Sequence, residues 1–417
     1  MTEETSTSRP GAPRAGTALL TVLLIAMGVG PLLNYGLSAT SDLLIRQLGV
    51  SAGQFGLLIT VLFVSAAVSS MVIGRLADVL SIRSQLVFNY GGTVLALLIS
   101  AIGPYYWVLV VACILVGPAQ VIANPTTNRV IYSAVPATKR SGWIGVKQSG
   151  VQASQLAAGL LFPTAALWAG WSGAAIAAGV VVLLLLWWSL RHIPPEAPTD
   201  WSAVRRVLAT RFRTRRTGAS TSLPMQVWLF AAVAFCSGMG TQATNVYLPL
   251  FAVRDHDYSL LVGGLAAGLS GVVGVASRVF WGRALGAGRR PGTLLALIAS
   301  GALMGMACMV ASSALDIAGL FWAGVALHGL TVLGTNVVVN AGTMQAVDAT
   351  RIGAASGTTT MGMYAGFALG PVGMGAVVEL TGGFLLGWIL VGAVYVLLLS
   401  LAVTMVRTER RRSRDAE

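Results

Sequence analysis

Charge is what this sequence has least of: Asp, Glu, Lys and Arg together make up 10% of it, against roughly 25% in an average soluble domain. A chain so poor in charge does not clothe a water-exposed surface. This excludes a soluble fold, although the length of 417 residues would allow two or three domains. Cysteine is scarce as well. Cys113, Cys236 and Cys308 stand singly in apolar stretches, so neither a disulfide framework nor a metal site is expected. No G-x-x-x-x-G-K-[ST] run is present, which speaks against ATP-driven work within this chain. No H-E-x-x-H and no paired carboxylates at helical spacing supply the ligands or the acid–base pair of an enzyme, and no cofactor is expected. Residues 1–16 hold no apolar core, so no cleavable signal peptide is expected.

What is there is apolar. Hydrophobic residues make up 55% of the chain, and the mean hydropathy is +0.78. Stretches of about 20 apolar residues, the length that crosses a bilayer as a helix, recur along the chain. They fall at 17–39, 52–74, 85–103, 106–133, 142–168, 172–190, 225–250, 260–281, 292–312, 316–344, 354–378 and 383–405. The expected fold is an all-α integral membrane protein of twelve transmembrane helices. Its parts are an N-terminal tail (1–16), a six-helix bundle (17–190), a linker (191–224), a second six-helix bundle (225–405) and a basic tail (406–417). In the linker, Trp201 to Phe212 reads as a short amphipathic helix on the membrane surface.

The net charge of +13 is distributed as a topology signal. All but three of the Lys and Arg residues fall at the termini or on loops and helix ends of the same face; Arg46 and Arg254 lie opposite, and Lys147 lies inside a span. The positive-inside rule then places that face, and both termini, in the cytoplasm of a multi-pass protein of the cell membrane. Attraction to anionic lipid is a side effect. The lipid bilayer is thus an expected partner and nucleic acid is not.

The polar residues that remain are organised around Gly117 to Pro163. Shifted by 212 positions, Gly117 falls on Gly329, Asn124 on Asn336, Asn128 on Asn340 and Gly150 on Gly362. Each Asn pair is four residues apart and so shares one helix face. A polar stripe repeated in two halves of an apolar chain is the mark of a transporter built from internal repeats.

After the second span the chain reads Gly74-Arg75-Leu76-Ala77-Asp78-Val79-Leu80-Ser81-Ile82-Arg83-Ser84-Gln85-Leu86. This resembles the motif G-x-L-A-D-R-x-G-R-[KR]-x-x-L between the second and third helices of the major facilitator superfamily. Gly74, Leu76, Ala77, Asp78, Arg83 and Leu86 match; Val79, Ser81 and Ile82 depart. Trp281-Gly282-Arg283-Ala284-Leu285-Gly286 is similar to a weaker echo without the Asp. The resemblance covers 17–405. It implies two six-helix pseudo-repeats around a central cavity lined largely by the first, fourth, seventh and tenth helices. It also implies a loop (Gly74, Asp78, Arg83) that latches the halves during alternating access. Asn128 to Arg140 with Gly145 to Gln152 is similar to a bacterial branch that includes cyanate-transporter-like members. Proton-coupled drug antiporters of the family carry an Arg in the fourth helix, and none stands near Cys113 to Gly117 here.

The cavity implied by that resemblance finds polar residues waiting on the right helices: Asn34 on the first, Asn124 and Asn128 on the fourth, Gln242 and Asn245 on the seventh, and His328, Asn336 and Asn340 on the tenth. Two cations stand at matched depth, Arg129 and Lys147, roughly 9 Å inside the membrane edge at 1.5 Å per residue. Gln148, Gln152 and Gln155 continue from Lys147 as a stripe on the fifth helix. One reading of the cations is snorkelling to the interface or pairing with Asp78; the other is an anion-attracting site, which the Gln stripe favours. The second half offers no matching charge, since the 212 offset puts Ala341 at Arg129 and Thr359 at Lys147. No carboxylate falls mid-membrane, which leaves His328 with two readings, a titratable group for proton coupling or a hydrogen-bonded packing residue. The expected partner is a small-molecule solute, with or without a coupling ion, and the expected state is a monomer. The function read from these residues is secondary or facilitated transport of a small organic solute, anionic in character. Its alternative is efflux of hydrophobic compounds by proton antiport.

Overall fold

The computed structural model describes residues 16–103, 105–193, 196–209, 223–348 and 351–415. The readings placed on residues 1–15 and on 210–222 lie outside the described residues. Among those described, the chain is helical throughout and has no strand. The first span is a broken pair, α1 (Thr17–Val29) and α2 (Leu32–Ala39), bent by 53°. After a short α3 (Ser41–Leu48), α4 (Ala52–Val79) and α5 (Ile82–Ser100) form the second and third spans. The fourth is again broken, into α6 (Tyr106–Val121) and α7 (Ala123–Ala134).

Next comes one continuous assignment, α8 (Ala137–His192). A 56-residue helix would run roughly 84 Å, more than twice the ~30 Å hydrocarbon thickness. The chain instead turns at Gly170, whose φ of 64° and ψ of 179° belong to no helix, a conformation open to glycine because it has no Cβ. The fifth and sixth spans are therefore the two arms of α8. The linker carries α9 (Trp201–Ala209). The second set of spans is α10 (Met225–Arg254), α11 (Leu260–Gly286), α12 (Pro291–Leu315), the broken pair α13 (Ala318–Val332) and α14 (Thr335–Gln345), α15 (Ile352–Thr381) and α16 (Leu385–Asp415). With each broken pair taken as one span, these are twelve.

The breaks follow from proline and small residues. Pro31 and Pro125 have no N–H to donate four residues back, and the chain leaves the helix beside each, at Gly30 and Ile122. Pro118 likewise frees the Ile114 carbonyl inside the bilayer, where an unpaired group is costly. The Ser65 hydroxyl of α4 donates to it at 2.7 Å. Close helix contact is bought by glycine: on α15, Gly362, Gly366 and Gly370 face the backbone oxygens of Ala231, Phe235 and Met239 on α10, and any added Cβ would collide with them.

The first and last six spans hold each other at the end remote from the termini. Asp42 beyond α2 binds both Arg46 (2.8 Å) and Arg254 (3.2 Å), the two cations expected on that face. The Ser51 hydroxyl donates to Glu379 (2.8 Å), and the Tyr247 hydroxyl to the Ala52 carbonyl (2.6 Å). Deeper in, Thr60 donates to the Ala368 carbonyl at 2.6 Å. At the opposite end the linker is tied down. The expected amphipathic helix is present as α9, but it buries Val204 against Ile73, Ala77 and Leu80, so one face is taken by α4.

Candidate functional site

The three broken spans point their breaks at one place. Pro31 and Asn34 past the first break, Gln120, Val121 and Asn124 around the second, and Val332, Leu333 and Asn336 around the third all line a cavity of about 130 Å³ between the two sets of spans. An interrupted helix is tolerated in a bilayer where its loosened backbone borders a cavity, so the prolines and the site have one cause. Gln148 and Gln152 of α8 and Gln242 and Asn245 of α10 complete the polar wall. Asn124 and Asn336, the repeat partners, line it together.

Several amides hold hydrogen-bonding capacity in reserve. The Asn34 and Gln242 carbonyl oxygens and the Gln120 amide nitrogen are buried without a protein partner, a state that costs about 1–3 kcal/mol each unless something else fills it. Other amides are engaged in a chain that crosses between the halves at its second step: Gln152 donates to Gln155 on the same helix (3.2 Å), and Gln155 to Asn245 of α10 (3.2 Å).

The charged member of the site is one that sequence reasoning assigned to the basic face. Arg278 of α11 is buried and lines the cavity, the one charged side chain among the described residues that do so. Its Nε donates to the Leu333 carbonyl at 3.3 Å and its Nη1 to the Gln148 carbonyl. It thereby joins the α13–α14 break of the second half to α8 of the first, and leaves Nη2 without a partner among the described residues. The 212 offset still puts no charge opposite Arg129 or Lys147, but the second half brings a cation of its own from a different helix, α11. The cause is helix length: α11 runs on to Gly286, so Arg278 stands eight residues, over two turns, inside its end.

Lys147 is fully buried behind the wall. Its ammonium donates to Asn124 Oδ1 (3.0 Å), Thr127 Oγ1 (2.8 Å) and Asn128 Oδ1 (2.6 Å). Three donors meet three neutral acceptors on α7, and the charge reaches the cavity through Asn124, which also accepts from Gln148 Nε2 at 3.3 Å. Asn128 is used in that clasp.

Arg129 takes the interfacial one of its two readings, with Glu196 rather than Asp78 as the carboxylate. It does not meet Lys147 but turns to the carbonyls of Ala77 (3.3 Å) and Leu80 (2.9 Å) at the end of α4 and to the Glu196 carboxylate of the linker (2.5 Å). The physical reason is the supply of acceptors: the last carbonyls of a helix lack intrahelical partners, and Glu196 adds a full charge. His328 also lies off the cavity, buried and hydrogen-bonded to the Tyr395 hydroxyl at 2.7 Å. Asn340 is exposed, one turn beyond Asn336. Around the loop motif, Gly74, Asp78 and Arg83 are all exposed. Its buried anchor is Gln85, which donates to Ala77 and Leu80 (2.8 Å each) and accepts from Thr126 (2.6 Å).

A helical membrane protein whose interrupted spans enclose a polar pocket between two sets of six has the build of a solute transporter. The chain belongs to the Major Facilitator Superfamily, whose family model matches residues 18–371. Among solved structures it is similar to a mutant form of the nucleoside transporter NupG, with a TM-score of 0.68 and 14% identity over 93% of this chain and 98% of that one. At that identity the likeness concerns the fold. No curated protein matches the sequence.

Proposed function

We propose that this chain carries a small organic solute with an acidic group across the cytoplasmic membrane by alternating access, with its basic face and both termini inside. The observation that carries this reading is Arg278: a guanidinium buried in the pocket, held by neutral carbonyls from both halves, with no carboxylate among the described lining residues. A buried cation of this kind is stabilised by an incoming anion, and the fork of Arg suits a carboxylate. Lys147 adds positive potential through Asn124. The likeness of Asn128–Arg140 and Gly145–Gln152 to cyanate-transporter-like members supports a compact anion. A nucleoside, named for the structural neighbour, is neutral and needs no such cation. The contacts at Asp42, Ser51 and Tyr247 support a conformation closed on the outer side.

The test is a thermal-stability screen of the purified protein against acetate, lactate and benzoate, each beside its amide. A ligand at a hundred times its Kd adds about 2.7 kcal/mol of apparent stability. Acids that stabilise while their amides do not support the reading; amides that stabilise equally refute the acidic requirement.

A further inference from the structure

Besides its amides the same cavity has an aromatic patch. Phe63 of α4 and Tyr364 and Phe367 of α15 all line it. Their ring centroids are 5.1 Å (Phe63–Phe367), 5.9 Å (Tyr364–Phe367) and 6.4 Å (Phe63–Tyr364) apart, with interplanar angles of 57°, 89° and 41°. Rings tilted in this way present both edges and faces to an occupant. Two helices from different halves supply them, so the patch is complete only while α4 and α15 are packed. Met363 and Met27 fill in at the margins, and thioethers make favourable contacts with aromatic groups.

Size narrows the occupant further. The cavity of about 130 Å³ is close to the ~150 Å³ engineered cavity that holds one benzene. A single ring fills a space of that scale. The apolar wall also distinguishes this pocket from one built for an all-polar anion, which would leave Phe63 and Phe367 facing a charged surface with nothing gained.

Resting on the acidic-solute reading above, we infer that the substrate is a compact planar carboxylate, a single aromatic or conjugated ring bearing one acid. The carboxylate would sit at the free Nη2 edge of Arg278, and the ring against Phe63, Tyr364 and Phe367. A ring substituent that donates or accepts a hydrogen bond would meet the unpartnered amides of Asn34, Gln120 and Gln242.

The experiment measures Kd on the purified full chain for benzoate, benzamide, cyclohexanecarboxylate and 1-naphthoate, with acetate and lactate as ringless acids. The expected order is benzoate tightest. Cyclohexanecarboxylate, equal in charge but puckered, should be weaker by about fivefold to tenfold, the worth of an aromatic contact. 1-Naphthoate should bind more weakly than benzoate, and Phe367→Leu should shrink the benzoate-to-cyclohexanecarboxylate ratio toward one. Acids that bind with no preference for the planar ring overturn this inference and leave the acidic-solute reading standing. Binding of none of the acids, or of benzamide as tightly as benzoate, overturns both. The wild-type ligand series decides the matter even where Phe367→Leu fails to fold.

Discussion

Arg278 and Lys147 are both buried cations, yet their surroundings assign them different work. Arg278 has a donor edge to spare and faces the cavity; Lys147 has each of its donors engaged by Asn124, Thr127 and Asn128. Arg278→Gln should therefore weaken binding of an acid by at least tenfold, as expected for losing a charge-assisted hydrogen bond worth roughly 1.5–3 kcal/mol. Arg278→Lys should recover only part, having charge without the fork. Both are read by titration calorimetry with the tightest acid of the screen. Lys147→Met should act first on the fold. It strands three acceptors, lowering apparent stability by roughly 1–3 kcal/mol in a detergent melt, while acid affinity falls less than in Arg278→Gln. The amide residues of the site were legible in the sequence because Asn and Gln inside apolar spans need a reason to be there. Arg278 was not, since three residues from the apparent end of an apolar run looks like an interface until α11 is seen to continue. For Arg129 and His328 the sequence leaves two readings open for another reason. Their partners, Glu196 and Tyr395, are 67 residues distant in each case, and no local pattern announces them.

At the scale of the helix, the spans could be read from hydropathy, and the breaks at Gly30 and Ile122 had proline beside them. The break before α14 had none; it falls at Gly334, which lies against the Trp281 ring, a tertiary contact. The glycine ladder of α15 is a packing face against α10 because of the carbonyls it meets there. Gly366→Val places branched carbons against the Phe235 carbonyl. Loss of monodisperse protein on size-exclusion chromatography is the expected outcome, since overpacking costs about 1–3 kcal/mol or more. The loop between α4 and α5 is built differently, with Gln85, Arg129 and Glu196 holding the backbone and Asp78 exposed. We expect Asp78→Asn to slow transport severalfold while leaving ligand affinity nearly unchanged, because that side chain is free to engage a partner in another conformation. Comparing initial uptake rates with equilibrium binding separates the two effects; lost affinity at an unchanged rate would place Asp78 in the site instead.

For the whole molecule, the repeat at an offset of 212 and the basic bias of one face anticipate two halves with a pocket between them. What they do not anticipate is how unequal the halves are at that pocket, where the first brings Lys147 behind the wall and the second a buried Arg278 that lines the cavity. Reporter fusions at Gly288 should read cytoplasmic and at His256 external; the matching fusion at Thr217, outside the described residues, should read cytoplasmic too. The central claim, that the pocket moves an acid across the membrane through Arg278, is met most directly by counterflow. Proteoliposomes holding wild-type protein are loaded with an unlabelled acid that stabilises it and diluted into a trace of the same acid labelled. The account predicts transient accumulation of label above equilibrium, abolished by Arg278→Gln in protein that still elutes as a folded species. Accumulation that survives Arg278→Gln, or that the amide drives as well as the acid, would contradict it.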